Sequence, residues 1–221
     1  MTIPLRSALI TLLFTATAAF AADCKTPWFP ASGDAVLRYR QQVWAFAEGE
    51  EDVKMGEMEM VHERFNASRG ALTFRQTLNR EGRGPSSETT SYRCTEKGLL
   101  PVAATSEYSK TTFDGVQYGS DLTEGKKWSF SWKSVGDGWT LSAKWDYRVI
   151  GPEKVEVPAG IFDTIRIDYR GLSTSSQRGE LPPTEGSVWI AEGIGLIKQV
   201  DVDPALGLVP QKTTLELIAR K

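Results

Sequence analysis

Between Thr164 and Arg170 the apolar Ile165, Ile167 and Tyr169 alternate with Arg166, Asp168 and Arg170. A two-residue period is met by an extended chain with one buried and one wet face, whereas a helix would scatter those apolar groups around its circumference. Just before this run stands Val155-Glu156-Val157-Pro158-Ala159-Gly160-Ile161-Phe162, where Pro158 and Gly160 supply the turn that reverses one strand into the next. Beyond it Val188 to Lys198 carries a second apolar pair of runs broken at Glu192-Gly193. The stretch 155–202 therefore reads as two hairpin arms joined by a polar segment, 173–187, with Ser173 to Ser176 and Pro182-Pro183. That segment is open to two readings, a mobile lid or a long hairpin loop.

The same grammar extends over most of the chain. Residues 37–44, 53–65, 71–78, 89–95, 99–108, 111–118, 127–135 and 139–150 read as strands. Asn66-Ala67-Ser68-Arg69-Gly70, Glu81-Gly82-Arg83-Gly84-Pro85, Asp114-Gly115 and Gly136-Asp137-Gly138 supply the bends. The acidic Glu48 to Asp52 is a natural hairpin tip, and Asp34 ahead of Val36 and Leu37 leaves a capped helix as the alternative for the first strand. The clearest hairpin pairs 127–135 with 139–150. Without crossover helices the expectation is an all-β, antiparallel, curved sheet of roughly ten strands, either an open half-barrel or a two-layer sandwich.

Residues 1–21 hold one charge, Arg6, an apolar run from Ala8 to Phe14, and small residues ending Ala19-Phe20-Ala21. This is the pattern of a cleaved secretory signal peptide, too short to span a bilayer, which leaves 22–221 as a single exported domain in the periplasm or outside the cell. The two cysteines, Cys24 and Cys94, form a disulfide in that compartment, closing a loop of about 70 residues for roughly 4 kcal/mol of stability. Lipidation of Cys24 is the alternative; Asp23 stands where a lipobox places a small residue. Removing Arg6 takes the net charge from -2 to -3. A weakly acidic chain without a basic cluster excludes nucleic acid as the expected partner, because phosphate contacts require concentrated lysine and arginine.

The turn Val157-Pro158-Ala159-Gly160-Ile161-Phe162, Tyr39 in the first strand, Gly56 in the second, and Trp189-Ile190-Ala191-Glu192-Gly193-Ile194-Gly195 resemble the exported bacterial family known as domain of unknown function 3108. The resemblance implies a curved antiparallel sheet similar to the lipoprotein-carrier folds of the envelope. It carries no catalytic residues.

Chemistry-bearing groups are sparse. The single histidine, His62, sits in a strand pattern with Met58 and Met60, and no G-x-S-x-G elbow or phosphate-cradling glycine motif accompanies it. Glu48, Glu50, Glu51 and Asp52 could meet a calcium ion but read better as a solvated tip. The expectation is a non-enzyme with no metal and no cofactor.

The aromatic residues are the stronger lead. Trp128, Phe130 and Trp132 share one face of a strand, and Trp145 and Tyr147 one face of its hairpin partner, with Lys127, Ser129, Ser131, Lys133, Lys144, Asp146 and Arg148 on the reverse. On a concave face these five rings could hold an apolar ligand such as an acyl chain; the competing reading is that they are core. The sequence thus points first to a non-catalytic carrier of a lipid or other apolar ligand, and second to an envelope protein-interaction or assembly module.

Overall fold

In a computed structural model, which describes residues 26–29, 36–45, 53–68, 71–80, 84–102, 104–105, 109–203 and 210–220, the chain is all β. The strands are β1 Val36–Ala45, β2 Val53–Ser68, β3 Ala71–Arg80, β4 Ser86–Thr95 and β5 Gly98–Pro101. Short β6 Ala104–Thr105, β7 Ser109–Gly115 and short β8 Tyr118–Gly119 follow, then β9 Lys127–Gly136, β10 Trp139–Val157 and β11 Gly160–Ser175. Short β12 Gly179–Glu180, β13 Thr184–Ala191, β14 Gly195–Asp203 and β15 Gln211–Arg220 complete the chain. All belong to one 15-stranded sheet, ordered β6-β7-β9-β10-β11-β13-β14-β15-β1-β2-β3-β4-β5-β8, with β12 beside β11.

This is the expected antiparallel architecture in its open, one-sheet form, and the surplus over ten strands comes from the two- to four-residue pieces β5, β6, β8 and β12. The first strand is β1, not a helix. The predicted 127–135/139–150 hairpin forms, with Trp139 opposite Gly136 and Tyr147 opposite Trp128. The segment 173–187 is neither lid nor loop for the most part. β11 runs through Ser175, turns, and pairs Ser175 with Gly179 before β13 begins at Thr184. Its serines and threonines are well suited to a solvent-facing strand, which explains why a polar composition concealed one. The predicted strand 99–108 divides into β5 and β6. The signal peptide, Cys24 and the Glu48–Asp52 tip lie outside the described residues.

Two hydrophobic clusters show how the sheet curls. In the first, Leu72 of β3, Tyr92 of β4 and Leu99 of β5 pack with Val149 of β10, Ile167 and Tyr169 of β11, and Val188 and Ile190 of β13. These strands are far apart in sheet order, so the sheet bends until its two wings share a core, without closing into a barrel. The second cluster joins Tyr39 of β1, Met60 of β2, Ile197 of β14 and Leu217 of β15 with Val155 and Val157 at the far end of β10. The Val157-Pro158-Ala159-Gly160 turn docks there, its Ala159 amide donating to the Leu217 carbonyl at 3.1 Å. Tyr39, wholly buried, donates its hydroxyl to the Leu196 carbonyl at 2.8 Å.

Opposite Trp145 on β11 stands Gly171, and a methyl group there would come within 2.6 Å of the indole Cζ3. The ring lies across the glycine because nothing else leaves it room. Gly171→Ala should therefore lower stability by about 1–3 kcal/mol, the usual range for overpacking a filled core. Urea unfolding would check this; an unchanged midpoint would mean that Trp145 has somewhere else to go.

Candidate functional site

Four of the five aromatic residues singled out in the sequence line the core side of β9 and β10. Trp145 lies opposite Phe130 and Tyr147 opposite Trp128. The Trp128 and Tyr147 rings stack at 5.0 Å between centroids and 7° between planes, and Trp145 and Tyr147 both meet Tyr169 of β11. Trp128, Trp145 and Tyr147 pack against the first core cluster, and Phe130 is buried, stacked on Phe113 of β7 at 6.0 Å. Trp132 stands apart from them, half-buried and facing Phe113 and Ala143 across its neighbours.

The chain's own N-terminal segment packs onto one end of this aromatic face, at Trp128. Trp28 and Phe29 are 5% and 6% exposed. The Trp28 indole donates to the Gly119 carbonyl at 2.8 Å, and its ring contacts Tyr118 at 4.9 Å and the edge of Trp128 at 6.2 Å. Phe29 meets Tyr118 at 5.2 Å and Tyr92 at 6.2 Å. Glycine at 195, with φ of +104°, is what lets the segment in: a Cβ there would stand 2.7 Å from the Trp28 carbonyl oxygen. Sequence reading missed Trp28 and Phe29 because an isolated apolar pair between prolines has no periodicity. The Trp28 indole was nevertheless a signal, since a buried tryptophan requires a partner for its N–H.

A polar corner borders the aromatic core. The Gln199 amide nitrogen donates to the Tyr169 hydroxyl at 3.3 Å and to the Asp201 carboxylate at 3.1 and 2.9 Å. Burial, and then the neighbouring Asp203, push the Asp201 carboxyl up to about 7. Burial holds Tyr147 well above the ordinary phenol range, with the Tyr118 and Asp201 charges adding to the shift. No group of three or more His, Cys, Asp or Glu able to hold a metal occurs among the described residues. No described helix is long and apolar enough to cross a membrane. Cys94 packs against the first cluster, and no cysteine among the described residues is free; Cys24 lies outside the described residues.

A cavity of about 570 Å³ lies over β7, β9, β10, β11 and β12, and Trp132 is the one residue of the five that borders it. The row Phe113, Trp132, Ala143, Ser173 runs across it. The rows on either side, which include Lys133 and Ser142 on one flank and Ser131 and Lys144 on the other, line it in full. Side chains alternate along a strand, so these flanking rows point away from the core aromatics and the cavity opens on the sheet's outer face.

No family model and no curated protein matches this sequence, so the likeness to domain of unknown function 3108 rests on its motifs alone. Two solved structures share the fold. One is a "putative lipoprotein" from Parabacteroides distasonis ATCC 8503, with a TM-score of 0.61 and 14% identity. The other is a "putative exported protein with YmcC-like fold" from Bacteroides fragilis NCTC 9343, with a TM-score of 0.57 and 13% identity. Each alignment covers 90% of this chain and 100% of the other. At such identities the likeness is one of architecture: this chain is similar in fold to these two structures.

Proposed function

We propose that the protein is an exported, non-catalytic binding module of the bacterial cell envelope, which presents its curved sheet to a ligand or protein partner and works without metal or cofactor. The observation that carries this reading is the filled aromatic face. Trp28 and Phe29 cover the Trp128 end of that face and join its core cluster, held by a buried hydrogen bond and four ring contacts. Lipid carriage, the first reading of the sequence, would require that segment to leave. Export is supported by the signal-peptide pattern at 1–21 and by the printed descriptions of the two structural neighbours. A Cys24–Cys94 disulfide fits the same compartment and would tether the N-terminal segment beside the cluster that Cys94 joins.

Native mass spectrometry of protein exported to a periplasm, followed by a denaturing spectrum, tests all of this together. The expected result is a denatured mass of Ala22 to Lys221 less two hydrogens, and a native mass that carries no lipid. A lipid-sized mass lost on denaturation would return the protein to the carrier class. A diacylglyceryl adduct on Cys24 would remove the disulfide.

A further inference from the structure

We propose that the outer-face cavity is a saccharide-binding site that takes a neutral oligosaccharide laid across the strands. This rests on the binding-module reading and names its ligand class. The volume of about 570 Å³ is within the usual range for small-ligand sites. One lining row runs Thr112, Lys133, Ser142, Thr174 and Glu180 over five adjacent strands; the other runs Asp114, Ser131, Lys144 and Leu172 over four. Hydroxyls, ammonium groups and carboxylates thus alternate on a platform whose strands are about 4.8 Å apart, close to the length of one sugar ring.

Most of these groups are also unspent. Elsewhere the sheet surface ties its charges across strands, as in Arg38 with Glu59, Arg40 with Glu216, Arg170 with Glu185 and Lys198 with Glu216. Among the described residues no hydrogen bond or ion pair engages the side chains of Asp114, Ser131, Lys133, Ser142, Thr174 or Glu180. Lys144 alone of the charged lining groups is paired, with Asp146 at 3.3 Å.

The chemistry selects among ligands. Two lysines balance Asp114 and Glu180, so the cavity lacks the cation excess that holds a phosphate or sulfate. An acyl chain would desolvate the unpaired Ser131, Ser142 and Thr174 hydroxyls and the charges of Asp114, Lys133 and Glu180 without satisfying them. A sugar's hydroxyls both donate and accept and can satisfy either sign, and its C–H face can rest on Leu172, which is 48% exposed.

Amide NMR titration of the intact mature protein, with cellohexaose, maltohexaose and chitohexaose in turn and inorganic phosphate alongside, decides the matter. Saturable shifts are expected with at least one oligosaccharide, confined to β7, β9, β10 and β11 around the cavity. Ser142→Val and Lys133→Ala face solvent and leave the core intact; each should weaken that binding by about tenfold or more, about 1.4 kcal/mol. Saturation by phosphate alone would make the cavity an anion site and end the proposal. So would the absence of saturable shifts with every oligosaccharide, or variants that bind as well as the parent. The binding-module reading fails by a different result, a lipid-bearing native mass, which these titrations do not touch.

Discussion

Replacing Trp28 with alanine is expected to lower the unfolding free energy by about 3–5 kcal/mol, the range for deleting a buried tryptophan, which would be a large share of a typical domain's 5–15 kcal/mol. The residue closes the core from the chain terminus: its ring lies against Tyr118 and Trp128, and its N–H is the partner of the Gly119 carbonyl. Truncation would leave a cavity among these rings and strip a buried carbonyl of its donor, and both effects act in the same direction. Trp28→Phe should recover part of the packing but not the hydrogen bond, so its loss should fall between alanine and wild type. Urea unfolding followed by circular dichroism would give the order. Should alanine cost less than about 1 kcal/mol, the N-terminal segment would be an ornament on a core complete without it, and the aromatic face would be open to a ligand after all.

Asp201→Asn should act through pH. The folded chain keeps the Asp201 proton up to about pH 7, whereas a free aspartate releases it near its ordinary value of 3.8. Between those limits the folded state binds more protons than the unfolded one, so stability falls as pH rises from about 4 to about 7 and stays low above that. The separation sets an upper bound on the order of 4 kcal/mol. Asparagine carries no charge at any of these pH values, yet its side-chain oxygen can still accept from Gln199. The variant should match wild type near pH 4, exceed it at pH 8, and lose the decline between. Thermal melts of both proteins across this range would show it. Parallel curves would mean that the carboxylate is satisfied as a charge, through solvent or through the Gln199 hydrogen bonds that favour the ionised form.

The strand alternation at 165–170, the 127–150 hairpin and the Pro158–Gly160 turn were legible because each is local: side-chain direction follows from neighbours along the chain, and turn residues act on their own dihedral angles. The five candidate aromatic residues lie on two paired strands, since cross-strand pairing follows from a short hairpin's register. What the sequence by itself determined, then, was an antiparallel sheet and which residues share a face. What covers each face is a contact between distant parts of the chain, and only the tertiary structure decided it. Trp28 reaches Gly119 across 91 positions, and β3 to β5 curl against β10 to β13. The raised affinity of Asp201 for its proton and the unspent polar groups of the outer cavity have the same origin, because burial and pairing belong to the fold's geometry and no stretch of sequence carries them alone.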